Sequence, residues 1–198
     1  MELASKKTLD ELKPVLQNPK AFGPDPVYWV FSNLSKDKWA NLTVIAPGFF
    51  SHDLVPTGGE LPKTHGHYHT KQVNEIYHLV EGRGILLLQK KHLEGDKWIP
   101  EMVDQVVLIN ANPGDEILIK PEWGHSWSNA GQVPLLSYDN WRQAHEPTDY
   151  EAVEKLIGMA YYLVVADNQL QLIPNPNYKN LPQPIWMDAA SWKVRQSF

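Results

Sequence analysis

The sequence predicts an all-β protein, built as a sandwich or barrel, with short helices towards its two ends. Short apolar runs alternate with turns from Tyr28 onward, and the turns are rich in Gly, Asn, Asp and Pro. These residue types supply the backbone conformations that reverse a chain. The sequence shows neither an alternation of strands with helices nor a long repeat. Many short strands at near-regular spacing are typical of a sandwich or barrel.

The apolar runs are interpreted as strands because they are short and alternate with turn signals. In chain order they are VYWVF, LTVIA, EIYHLV, ILLLQ, QVVLI, EILIK and PLLSYDNW. The turn signals between them are Gly58-Gly59, Gly82-Arg83-Gly84, Glu94-Gly95-Asp96, Asn112-Pro113-Gly114-Asp115 and Ala130-Gly131. We place this β domain at residues 26–178.

The N-terminal residues 1–25 are interpreted as an appendage to the β domain. Thr8 and Glu11 have the spacing of a capping box, which predicts a short helix ending near Gln17. The two prolines Pro24 and Pro26 then interrupt the pattern.

The C-terminal part is predicted to hold two helices and a hairpin. Residues 149–160 (DYEAVEKLIGMA) are interpreted as a helix, and YYLVVADNQLQLI as a hairpin with Asp167-Asn168 at its turn. Residues 179–198 form a tail in which WMDAASWKV indicates a short helix. We expect the tail to cover the surface or to reach a partner subunit.

Composition excludes several classes of function. The chain has 198 residues, which suits one domain, and a net charge of -5 without a Lys/Arg block. A nucleic-acid-binding surface is therefore not expected. The absence of cysteine excludes disulfides, thiolate metal sites and cysteine nucleophiles. The N-terminus lacks the apolar core of a signal peptide, and the longest apolar run, residues 156–166, is too short to span a membrane, so we expect a cytoplasmic protein.

Three histidines and one glutamate predict a metal site. The segment THGHYHTKQVNEIY contains His67, His69 and Glu75, and PEWGHSWSN contains His125. Residues i and i+2 of a strand face the same side, so His67 and His69 can converge on one point while Tyr68 points away. A strand returning beside them would bring His125 close. We therefore predict one metal ion held by His67, His69, Glu75 and His125.

The ligand types indicate the class of ion. Neutral imidazoles with one carboxylate suit a borderline divalent ion, for which we expect Fe²⁺, with Mn²⁺, Ni²⁺, Co²⁺ or Zn²⁺ as alternatives. Ca²⁺ and Mg²⁺ prefer oxygen ligands. Four protein ligands on an octahedral ion would leave two adjacent positions, where a substrate with neighbouring oxygens could chelate. By strand alternation, Tyr77 shares the face of Glu75, and His78 takes the opposite face.

These residues resemble the two motifs of the cupin superfamily. His67-x-His69, Glu75 and Gly82 are similar to the first motif, and Pro121-x-x-Gly124-His125-x-x-x-Asn129 is similar to the second. The first motif departs from many cupins, because five residues separate His69 from Glu75 and the usual leading glycine is missing at position 61. The resemblance implies a double-stranded β-helix, which is a jelly-roll barrel.

Within the cupins, residues 27–178 most resemble the archaeal-type, metal-dependent glucose-6-phosphate isomerases. The likeness includes Thr64-x-Gly66-His67-aromatic-His69-x-Lys71, Glu75-x-Tyr77 and the Pro-x-Trp-x-His-x-x-x-Asn segment at 121–129. It extends to Val27-Tyr28, to Leu42-Thr43 with the following Pro47-Gly48, and to Tyr138, His145 and Tyr150. Compared with the family pattern, the gap from His69 to Glu75 is one residue shorter and that from Tyr138 to His145 one longer.

The resemblance implies a role for each matched residue. The metal ligands would be His67, His69, Glu75 and His125; the phosphate would be surrounded by Tyr28, Thr43, Thr64, Gly66 and Tyr150; and Tyr77, Tyr138 and His145 would lie along the sugar. Glu75 would be the base that moves a proton between C1 and C2, assisted by Tyr138 and His145. The resemblance also implies a homodimer that acts on a small sugar phosphate in glycolysis and gluconeogenesis.

The residues by themselves leave other functions open. The same three-histidine, one-glutamate site could serve a cupin dioxygenase acting on a small organic substrate. A non-catalytic sugar-phosphate binder is also compatible, because a fold does not determine an activity. For the isomerase, a metal-assisted hydride shift remains an alternative to proton transfer through an enediolate.

Overall fold

The structure is a computed structural model that describes residues 1–35, 37–53 and 57–196. Within them, the strands are β1 Glu2–Lys7, β2 Tyr28–Ser32, β3 Asn41–Ile45, β4 Gly59–Glu60, β5 Glu75–Glu81, β6 Gly84–Glu94, β7 Lys97–Ala111, β8 Glu116–Ile119, β9 Trp123–Asn129, β10 Leu135–Asp139, β11 Tyr161–Ala166, β12 Gln169–Pro174 and β13 Ile185–Asp188. The helices are α1 Leu9–Leu12, α2 Pro147–Lys155 and α3 Ala189–Arg195, and a 3₁₀ turn covers Lys13–Val15.

Two large sheets form the barrel. One has the strand order β1-β2-β3-β10-β5-β8 and the other has the order β13-β7-β6-β9, while β12-β11-β4 form a smaller third sheet. From β5 to β10 the chain crosses repeatedly between the two large sheets, which is the jelly-roll arrangement. Buried side chains of both sheets, among them Leu79 and Leu88, join one hydrophobic core. The predicted all-β, double-stranded β-helix fold is confirmed.

Both terminal segments are part of the sheets. The capping box at Thr8 and Glu11 is present and starts α1, as predicted. Strand β1 pairs antiparallel with β2, and β13 pairs parallel with β7. Trp192 of α3 is fully buried, and its Nε1 donates to the Leu118 carbonyl at 2.7 Å. The proposed boundaries at residues 25/26 and 178/179 stay predictions, although the segments on either side share sheets.

Several elements differ from the sequence prediction in extent. Helix α2 begins at Pro147 and ends at Lys155, because Ile157 and Gly158 take positive φ values of 58° and 120°. The hairpin β11–β12 has Asp167 and Asn168 at its turn, as predicted, with φ values of 52° and 59°.

The segment that carries His67 and His69 is the clearest exception among the predicted strands. Residues 61–74 form a loop that touches β9 at two isolated bridges, Lys63–Ser128 and His67–His125. None of the helices in the described part of the chain has the length and apolar character needed to cross a membrane.

Candidate metal centre

Three chain segments bring the predicted ligands together. Glu75 is the first residue of β5, and His125 lies in the middle of β9. The loop before β5 is fastened to β9 by two backbone bonds, from His67 N to the His125 carbonyl at 3.1 Å and from His125 N to the His67 carbonyl at 2.9 Å. This bridge fixes His67 beside His125, so the loop performs the role that a strand was expected to perform.

The four side chains converge on one buried point. Glu75 Oε2 lies 2.9 Å from His69 Nε2 and 3.0 Å from His125 Nε2. The ring of His67 packs against that of His125, with 4.3 Å between centroids. One ligand atom from each of the four residues lies within 4.8 Å of all the others. The structure therefore brings together the whole predicted ligand set.

For Glu75 and His67, the electrostatics favour the protonation state that a metal ion requires. Burial would raise the pKa of Glu75, but the charges and hydrogen bonds of His125 and His69 hold it well below its usual range. Burial, together with the neighbouring histidines, lowers the pKa of His67. Neutral imidazole and ionised carboxylate are the forms that bind a cation.

Several buried nitrogen atoms of the cluster lack hydrogen-bond partners, and this bears on whether a metal ion fits the site. Among the described residues, the buried His67 Nε2, His69 Nδ1 and His125 Nδ1 have no hydrogen-bond partner. A buried polar atom without a partner is costly, and a cation beside Glu75 would satisfy His67 Nε2. Three imidazoles and one carboxylate also match the donor preference of a divalent transition metal. The residues present therefore fit a cupin metal site.

Tight packing around Tyr68 holds the ligands in place. Tyr68 points away from the cluster, as predicted, and its hydroxyl accepts a hydrogen bond from Gln89 Nε2. Its ring covers Gly124, where an added Cβ would lie 2.6 Å from Tyr68 Cε1. The Trp141 ring stacks on the ring of His69, with 3.7 Å between the centroids. The glycine before His125 is therefore required by the tyrosine between His67 and His69.

A cavity of about 700 Å³ opens beside the cluster. His67 and Glu75 lie in its wall. Its other lining residues include most of the predicted substrate-binding set, namely Tyr28, Thr43, Thr64, Gly66, Tyr77, His145 and Tyr150. The metal cluster thus borders a chamber large enough for a small ligand.

Tyr138 is the exception, and its predicted place along the sugar is corrected. Its ring stacks outside the cavity on Trp39 and His78, with centroid distances of 6.2 and 6.3 Å. In β10, Tyr138 pairs with His78 and Asp139 pairs with Tyr77, so Asp139 takes the cavity side. His78 faces away from the cluster, as predicted.

Asp139 is a cavity residue that the sequence analysis missed. Burial, together with the charge of Glu75, raises the pKa of Asp139 to about 7. Its Oδ1 accepts hydrogen bonds from Asn41 Nδ2 at 2.6 Å and Trp141 N at 2.9 Å. Side-chain alternation along SYDNW places Tyr138 and Asp139 on opposite faces of the strand. Which of the two faces the cavity follows only from the register with β5.

Asp149 is a second missed residue, and it positions His145. Asp149 Oδ2 lies 3.4 Å from His145 Nδ1, and Oδ1 accepts from Thr70 N at 2.9 Å and Thr70 Oγ1 at 2.8 Å. The His145 ring lies 4.6 Å from that of His67, and burial lowers the pKa of His145. A neutral histidine therefore stands beside the cluster, oriented by a carboxylate.

Known proteins share parts of this chain. MJ1618, an uncharacterized protein of Methanocaldococcus jannaschii, is 32% identical over 100 residues, which are 48% of this chain and 62% of that protein. This chain therefore spans less than two thirds of the length of that curated relative.

Three solved structures are similar at low identity. The Drosophila melanogaster CENP-C cupin domain is 12% identical with a TM-score of 0.37, covering 64% of this chain and 79% of that one. Oxalate decarboxylase of Lactobacillus farciminis is 17% identical with a TM-score of 0.39, over 60% and 30%. Peruvianin-I of Thevetia peruviana is 17% identical with a TM-score of 0.36, over 60% and 53%.

The family model described as Glucose-6-phosphate isomerase (GPI) matches residues 6–180. The match begins in β1, ends beyond β12 and contains all four clustered ligands. The chain therefore belongs to the cupin-type glucose-6-phosphate isomerase family.

Proposed function

We propose that this protein is a metal-dependent aldose–ketose isomerase that interconverts glucose 6-phosphate and fructose 6-phosphate. The observation that carries the proposal is the buried cluster of His67, His69, Glu75 and His125 opening into a cavity lined by hydroxyl groups. Membership of the family supports the identity of the substrate.

The cluster would hold one divalent ion, and we propose Fe²⁺. When bound, such an ion supplies a Lewis acid that stabilises negative charge developing on neighbouring sugar oxygens. The remaining tasks of the reaction fall to side chains: removing and returning a proton, opening the sugar ring, and holding the phosphate.

Glu75 is the proposed base. Its carboxylate is ionised, because His125 and His69 lower its pKa, and it lines the cavity. An ionised carboxylate in a site with little water can take a proton from C2 of the aldose and return it to C1. Transfer through an enediolate is the route we propose, with a hydride shift between C1 and C2 as the alternative.

His145 and Tyr77 are proposed to serve the sugar hydroxyls. His145 is neutral near pH 7, since burial lowers its pKa, so its ring can accept a hydroxyl proton during ring opening. Asp149 fixes the orientation of that ring. Burial raises the pKa of Tyr77 well above its usual range, which keeps its hydroxyl a donor, and the hydroxyl oxygen lies 3.4 Å from His125 Nε2.

Neutral hydroxyl groups are proposed to bind the phosphate. Burial raises the pKa of Tyr150 to about 12 and that of Tyr28 further, so both phenols stay protonated. Thr64 Oγ1 accepts a hydrogen bond from Trp127 N at 3.0 Å, and its proton has only a long contact with Ser126 Oγ at 3.4 Å, which a phosphate oxygen could replace. Gly66 has a φ of 83°, and an added Cβ would meet Met159 Sδ at 3.0 Å, so only glycine gives a close backbone approach here.

A coupled assay tests the proposal. Metal-free protein is reconstituted with Fe²⁺, Mn²⁺, Co²⁺, Ni²⁺ or Zn²⁺, and glucose 6-phosphate formation from fructose 6-phosphate is followed. We expect turnover that a chelator abolishes and that Glu75→Gln lowers by about 100-fold or more. Absence of turnover with every metal would contradict the proposal. Incorporation of solvent deuterium at C1 or C2 would favour the enediolate route over the hydride shift.

A further inference from the structure

We propose that Lys7, on the N-terminal strand β1, binds the substrate phosphate and makes the protein select a phosphorylated sugar over a neutral one. The identity of the ligand rests on the proposed isomerase function. Residues 1–25 were predicted to be an appendage, so the sequence analysis assigned none of their side chains to the site. The match of the family model from residue 6 onward gives Lys7 no individual role.

The register between β1 and β2 directs Lys7 into the cavity. Lys7 lies directly opposite Tyr28 in the antiparallel pair, and such partners project from the same face of a sheet. Tyr28 is buried, and both residues line the cavity. The preceding residue, Lys6, lies opposite Trp29, projects from the other face and is exposed.

The Lys7 ammonium is weakly held by the protein. Its Nζ lies 3.7 Å from Glu11 Oε1, and the two side chains are 35% and 48% exposed. An exposed pair at this distance contributes little. Glu11 is engaged elsewhere, because its Oε2 accepts hydrogen bonds from Thr8 N and Thr8 Oγ1, each at 2.8 Å. Apart from this long contact with Glu11, the described part of the chain shows no hydrogen bond from Lys7 Nζ, so most of its donors remain for a ligand.

Lys7 and the metal cluster border the same cavity. The ring of Tyr150 lies 5.4 Å from that of His67 on one side and 5.5 Å from that of His65 on the other. Lys7, Tyr150 and His67 all lie in the wall of the same cavity. A ligand in that cavity can therefore approach both the ammonium and the metal cluster.

Arg142 is the other basic side chain in the cavity wall with a permanent charge, and it is already engaged. Its guanidinium donates to the Ser35 carbonyl at 3.0 Å and to the Asp37 carbonyl at 2.5 Å. Both acceptors are backbone carbonyls, so two donors of the guanidinium are already used by the protein. Lys7 is thus the cation best placed to bind an anion beside Tyr28.

A phosphate dianion needs a positive charge as well as neutral donors. The hydroxyls of Tyr28 and Tyr150 can donate hydrogen bonds but bring no charge. A lysine ammonium acts as a point charge with three donors, and its bonds to phosphate are charge-assisted. At a partly exposed position, losing one such bond weakens binding by about tenfold.

Calorimetric titration tests the role of Lys7 without requiring turnover. Inorganic phosphate and glucose 6-phosphate are titrated into the wild type, Lys7→Met, Lys7→Arg and the matched control Lys6→Met. We expect Lys7→Met to weaken both ligands by about tenfold, while Lys7→Arg retains most of the affinity and Lys6→Met stays within about twofold. In the isomerase assay, KM for fructose 6-phosphate rises in Lys7→Met while kcat changes by less than about threefold.

Two outcomes would overturn the inference. Unchanged phosphate affinity in Lys7→Met would show that the ammonium does not bind the ligand. An equal loss in Lys6→Met would show a general effect of surface charge rather than a site. If the wild type turned over no fructose 6-phosphate with any metal, the proposed function would fail, whereas the phosphate titrations would still decide the role of Lys7.

Discussion

Replacing Gly124 with alanine is expected to destabilise the protein and to weaken the metal centre. The new Cβ would lie 2.6, 2.7 and 2.8 Å from three carbons of the Tyr68 ring. The ring cannot easily retreat, because Tyr68 is 2% exposed and its hydroxyl is bound by Gln89. Overpacking of this kind costs about 1–3 kcal/mol.

The same substitution acts on three ligands, because Gly124 precedes His125 and Tyr68 lies between His67 and His69. A ring displaced by the methyl group must move the loop that carries both histidines. A loss of about 2 kcal/mol corresponds to a fall of about 4–8 °C in Tm for a chain of this size. We expect bound metal per chain to fall together with Tm.

Urea unfolding and metal analysis measure the two effects on the same samples. Gly131→Ala is the matched control, since its Cβ would meet its nearest neighbour at 3.5 Å, an ordinary contact, and should change stability by less than about 0.5 kcal/mol. A Gly124→Ala protein with wild-type stability and metal content would refute the packing argument.

Three further predictions concern the missed and the corrected residues. Asp149→Asn should cost about 1.5 kcal/mol near pH 7, because Asp149 Oδ2 accepts a hydrogen bond from Glu146 N at 3.0 Å and an amide nitrogen in its place cannot accept. The pKa of Asp149 is lowered in the folded state, so this contribution is present above the ordinary value of 3.8 and is lost as the pH falls through the folded value. Urea titrations across that range should show the difference in stability between Asp149→Asn and wild type shrinking in acid. Tyr138→Phe should leave kcat and KM within about twofold of wild type, because the ring lies outside the cavity, and a large loss in the coupled assay would restore Tyr138 to the site. In metal-free protein, Asp139 holds its proton up to about pH 7 when folded but only to about pH 3.8 when unfolded, so its contribution to stability declines between these values. The stability of Asp139→Asn relative to wild type should therefore rise with pH over this range. A constant difference would contradict the raised pKa.

The metal ligands could be predicted from the sequence because the alternation of side chains along an extended backbone is a local property. His67 and His69 point to one side and Tyr68 to the other, although their segment is a loop with two isolated bridges to β9 rather than a strand. Two residues of extended backbone are enough to impose this alternation. The four-ligand cluster was therefore predictable before the sheet order was known.

Residues outside the motif depended on pairings that local patterns do not determine. The side taken by Tyr138 and Asp139 follows from the register of β10 on β5, and a shift of one residue would exchange them. Lys7 enters the cavity only because β1 pairs with β2 across the intervening helix. Likewise, the C-terminal strand β13 lies parallel to β7, a long-range pairing for which the sequence carries no turn signal.

Metal stoichiometry tests the central claim most directly. Mn²⁺ or Fe²⁺ is titrated anaerobically into metal-free wild type and into His67→Ala, His69→Ala, Glu75→Ala and His125→Ala, with His78→Ala on the outer face as the control. The account predicts one ion per chain in the wild type and the control, and a loss of affinity of at least about tenfold in each of the four variants. Wild-type affinity in those four variants, or a second ion bound equally well elsewhere, would contradict it.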